Sequence, residues 1–206
     1  MKTLFDCMTC AGDCQTNDVF ELFKTNTITK ADIIDIHSHN HDEVHLSSLI
    51  CAIYQHSFAK PIRNGRDYPY GSYKLILHMC NKGKLTKEDI MKIDENATKN
   101  KHLTCILVLA STSLKVFKFF VNKYNITKDD IMKYIGEIIC ILYKRSQKAL
   151  PYIVRKYNLT KEEILTQSIN TGDNILLDIC DTRSPNEEYV LVLDIFDNII
   201  SNDKSI

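Results

Sequence analysis

Lys123-Tyr-Asn-Ile-Thr-Lys-Asp-Asp-Ile131 recurs 33 residues later as Lys156-Tyr-Asn-Leu-Thr-Lys-Glu-Glu-Ile164, identical or conservative at every position. Two shorter copies, Leu85-Thr-Lys-Glu-Asp-Ile90 and Ile28-Thr-Lys-Ala-Asp-Ile33, put the shared threonines at 29, 86, 127 and 160, with spacings of 57, 41 and 33. One unit has been copied with insertions. Each copy explains itself as a helix start. Threonine is a good N-cap, and the acid three residues on (Asp32, Asp89, Asp130, Glu163) can return a hydrogen bond to the cap backbone. The apolar pairs Ile28/Ile33, Leu85/Ile90, Ile126/Ile131 and Leu159/Ile164 stand where a hydrophobic staple needs them.

Outward from these caps the pattern continues. Upstream of each threonine lies an amphipathic helix in fixed register: Leu75, Ile76, Met79, Cys80; Val116, Phe117, Phe120, Val121; and Ala149, Leu150, Ile153, Val154. The first copy keeps Val19, Leu22 and Phe23 but has Asp18 at the fourth place, as suits an outermost repeat that meets water. Downstream comes a second apolar segment, such as Leu103 to Ala110 or Ile135 to Leu142. The unit reads as cap, helix, tight turn, helix. The expected architecture is all-α, a solenoid of about five helix-turn-helix repeats in one domain, with units at about 1–28, 29–85, 86–126, 127–159 and 160–206.

Composition agrees with this reading. The 206 residues are 44% hydrophobic and 25% charged, with only 6 Gly and 4 Pro, too few turn formers for a many-stranded β fold. The longest run without a charge or His is Leu103 to Leu114, whereas a membrane span needs roughly 18 apolar residues or more. No membrane partner is expected. A Lys at position 2 and Asp6 interrupt the apolar core that a signal peptide requires. Eight Cys are scattered along the chain, most of them inside apolar patterns as small hydrophobes. An intracellular protein, in cytoplasm or nucleus, with reduced thiols is the expectation.

The 33-residue spacing and the stretch Ala110-Ser-Thr-Ser-Leu-Lys-Val-Phe-Lys-Phe-Phe-Val121 resemble the ankyrin repeat. With its Tyr-Asn-[Ile/Leu]-Thr-Lys-[Asp/Glu]-[Asp/Glu]-Ile tail, the unit looks like the degenerate ankyrin-like repeats of giant DNA virus proteins. No Thr-Pro-Leu-His and no Gly-Ala-Asp occur, so a short capped turn is expected in place of the usual hairpin finger. The resemblance implies a protein-protein interaction module or adaptor, of viral origin and acting on a host protein within the host cell.

Candidate chemistry is sparse. His37, His39, His41 and His45, with Cys7, Cys10 and Cys14 in the preceding unit, form the densest donor set and would suit zinc; alternate His residues followed by Asp and Glu equally suit a solvated loop. The loop is the expected reading, with no metal or other cofactor. None of Gly-x-x-x-x-Gly-Lys-[Ser/Thr], Gly-x-Ser-x-Gly, His-Glu-x-x-His or Gly-x-Gly-x-x-Gly is present, and no enzyme is expected.

Charge is segregated: residues 1–60 hold 4 basic and 8 acidic side chains, 61–165 hold 20 and 10, and 166–206 hold 2 and 8. The basic middle suits an acidic partner or nucleic acid, but sixteen of its twenty cations are Lys spread over solvent faces, without a recognition motif, so nucleic acid is the weaker alternative. The insertion Pro61 to Gly71 carries Arg63, Arg66, Tyr68 and Tyr70, side chains that anchor interfaces or pack a bridging loop. Near the end, Ser184-Pro-Asn-Glu187 starts an expected helix over about 185–200. Leu191 and Ile195 fall outside its main apolar stripe and point to a partner or to a homodimer formed through this helix.

Overall fold

The computed structural model describes residues 3–9, 16–25, 28–35, 37–38, 45–58, 73–92, 105–145 and 150–166. These are mostly helical. The chain divides into two compact units, Met1–Tyr124 and Asn125–Ile206.

In the first unit α1 (Leu4–Thr9), α2 (Thr16–Thr25) and the short α3 (Lys30–Ile34) precede a two-stranded ladder. There β1 (His37–Ser38) pairs antiparallel with β2 (His45–Leu46), His37 opposite Leu46 and Ser38 opposite His45. Then follow α4 (Ser48–Phe58), α5 (Tyr73–Lys82), α6 (Lys87–Met91), α7 (Ile106–Ala110) and α8 (Leu114–Lys123). The second unit holds α9 (Lys128–Met132), α10 (Ile135–Arg145), α11 (Leu150–Tyr157) and α12 (Lys161–Ile164).

The expected helix starts are present at all four threonines. Each accepts the N–H of the acid three residues on, and that acid accepts the threonine N–H, at 2.7 Å for Asp32, Asp89 and Asp130 and 2.8 Å for Glu163. The staple residues Ile33, Ile90, Ile131 and Ile164 are all buried. The helices these caps open run only four or five residues, however, too short to persist without tertiary support. The repeating element is therefore three helices, not two: an apolar one (α1, α4, α7, α10), an amphipathic one (α2, α5, α8, α11) and the short capped one (α3, α6, α9, α12).

The amphipathic helices keep the expected register: Leu75, Ile76, Met79 and Cys80 on α5, and Val116, Phe117, Phe120 and Val121 on α8, are buried. The apolar helices make the centre of each unit. In the first, α4 packs on α1, α3, α5 and α7, while α7 also packs on α6 and α8; in the second, α10 packs on α9, α11 and α12. All five residues of α7 are buried, as a helix apolar on every side must be.

Helices α5, α8 and α11 also end alike. Lys84, Asn125 and Asn158 adopt φ of 47°, 48° and 46°. The residue after each, Leu85, Ile126 or Leu159, is buried. The Leu85 N–H reaches back to the Cys80 carbonyl and the Leu159 N–H to the Val154 carbonyl, the long bond of a Schellman motif. One apolar side chain thus closes one helix and staples the next.

Candidate interaction surface

Helices α5 (Tyr-Lys-Leu-Ile-Leu-His-Met-Cys-Asn-Lys) and α8 (Leu-Lys-Val-Phe-Lys-Phe-Phe-Val-Asn-Lys) bury one stripe each, and off the stripe, beside two Leu and two Asn, lie Lys, His and aromatic side chains. The two helices together carry five Lys and no acidic residue. Tyr73, at the start of α5, meets Phe119 of α8 edge to face, with ring centres 6.0 Å apart at 86°. The Lys115 ammonium stands 4.3 Å from the Tyr73 ring centre, close enough for a cation–π contact, and Lys123 lies 5.4 Å from that of Phe119. His56, near the end of α4, approaches Tyr73 at 6.4 Å. Lys123 also bonds Asn81, tying the far ends of α5 and α8 together. Tyr73, Lys118 and Phe119 are half-buried, Lys74, Lys115 and Lys123 exposed.

The cysteines among the described residues are packed inside the two units. Cys7, Cys51, Cys80, Cys105 and Cys140 are all buried free thiols. Burial pushes the thiol of Cys51 up to about 12 and that of Cys80 up to about 11, and raises Cys105, whose Sγ also donates to the Ile90 carbonyl. A nucleophilic thiol needs the opposite shift. The Tyr124 hydroxyl, beside Cys80, is buried without a hydrogen bond of good geometry and is likewise held protonated by burial.

A second set of polar contacts links successive caps. In two of the four copies the Lys that follows the cap threonine reaches the cap acid of the following repeat: Lys30 to Asp89 at 2.5 Å in the first unit, Lys128 to Glu163 at 2.8 Å in the second. Lys128 also donates to the Asn158 carbonyl at 3.1 Å, and the Tyr157 hydroxyl donates to the Ile126 carbonyl at 3.0 Å. In Thr-Lys-x-[Asp/Glu], then, the Thr and the acid cap locally while the Lys works across repeats. Nothing in the local spacing of the motif signals that second role.

The residues singled out in the sequence fall differently. Arg63, Arg66, Tyr68 and Tyr70 lie outside the described residues, in the segment preceding α5, as do Leu191, Ile195 and the expected helix over about 185–200. Of the His run, His37 and His45 contribute backbone to the β1–β2 ladder, so its ends form a small antiparallel pair and not an unpaired loop. His39 and His41 lie outside the described residues, as do Cys10 and Cys14. Among the described residues no group of three or more His, Cys, Asp and Glu is placed to hold a metal ion, and no helix is long and apolar enough to cross a membrane. Tyr73, Lys115 and Phe119 were not expected as a site; their signal was the absence of acids from two consecutive amphipathic helices. Comparison with protein-family models, curated proteins and solved structures finds no match to this chain.

Proposed function

We propose that this protein is a non-enzymatic, ankyrin-like helical-repeat module that binds a protein partner. The observation that carries this reading is the α5–α8 face, where Lys and aromatic side chains lie off the buried stripes of two helices that bear no acid. Aromatic rings are enriched at interfaces, and stacked helical repeats serve as binding scaffolds because their cores consume the apolar faces and leave the outer ones to vary. The buried, raised thiols support a packing role for cysteine and do not suggest covalent chemistry. The resemblance to viral repeat proteins makes an intracellular adaptor that engages a host protein the corresponding biological role.

The same combination of Lys and aromatic groups supports a second reading, in which the partner is nucleic acid. Affinity capture with the full chain, followed by mass spectrometry and nucleic-acid staining of the eluate, tests the choice. Stoichiometric recovery of a defined protein that resists nuclease treatment is expected. Recovery of nucleic acid without any protein overturns the proposal.

A further inference from the structure

We draw no further inference here: the strongest candidate, the half-buried apolar residue that ends each short capped helix (Ile34, Met91, Met132 and Leu165), is a surface feature for which nothing among the described residues shows what covers it.

Discussion

Among single residues, the cap threonines and the residues two positions before them bear the most on local stability. Thr127 and Thr160 each accept the N–H of the acid three residues on. Thr127→Ala or Thr160→Ala is expected to cost about 0.5–2 kcal/mol in denaturant unfolding, the usual worth of an N-cap. An unchanged midpoint in both would mean that the caps are decorative. Lys84 occupies the left-handed position that Asn125 and Asn158 occupy in later repeats, and Asn tolerates that conformation better than Lys. Lys84→Asn should raise stability by up to about 1 kcal/mol, and Asn158→Ala should lower it by a similar amount. Thermal or urea melts of the two variants check both signs. Gly83, the residue before Lys84, has a different constraint: a Cβ there would lie 2.8 Å from Ile33 Cδ1 and 3.2 Å from the Met79 carbonyl oxygen. The Asn-[Ile/Leu]-Thr triplet was legible as a helix start, but its Asn was equally legible as the end of the preceding helix. Reading both roles requires seeing that one apolar residue follows the left-handed turn and precedes the cap.

At the scale of elements, the short capped helices are tied in two pairs, α3 with α6 and α9 with α12. A helix of four or five residues has too few internal bonds to offset the entropy of ordering it. Here the cap box and the staple supply what is missing, joined at α6 and α12 by the Lys of the preceding cap. This makes part of the stability acid-labile. Burial pushes the Asp89 carboxyl up, but the bonds from Lys30 and from the Thr86 backbone and hydroxyl outweigh it, so Asp89 titrates below the ordinary carboxylate range. Glu163 is lowered by Lys128 and by the Thr160 N–H. A folded-state pKa below the unfolded value stabilises the fold above the unfolded pKa of about 4, and that contribution is lost as pH falls through the folded value. Asp89→Asn and Glu163→Gln should therefore lower stability at neutral pH and lose less on acidification than wild type. Chemical unfolding across the acid range measures it. Parallel curves for wild type and variants would show that these carboxylates are not linked to folding.

On the scale of the whole molecule, the thiols of the described residues are packed away. Cys7, Cys51, Cys80, Cys105 and Cys140 sit in helices or at a helix start of the apolar cores. Peptide mapping after treatment of native protein with an alkylating reagent should find these five unmodified, and complete labelling should follow only in denaturant. Rapid native labelling of Cys51 or Cys80 would mean that the cores open readily. The sequence by itself determined the repeat, the positions of the four caps, the buried stripes of α5 and α8 and the helical class, because capping and amphipathic periodicity are local properties of a few consecutive residues. It did not determine that each cap opens a single turn, making three helices per repeat, since where a short helix stops depends on what covers it. Tertiary structure alone decided that Lys30 meets Asp89, that Tyr73 and Phe119 share one cationic face and that the ends of the His run pair. The first two join residues far apart in sequence and are set by how helices pack, which no local spacing encodes, while the hairpin joins neighbouring residues whose alternating His and acids carry no strand signal.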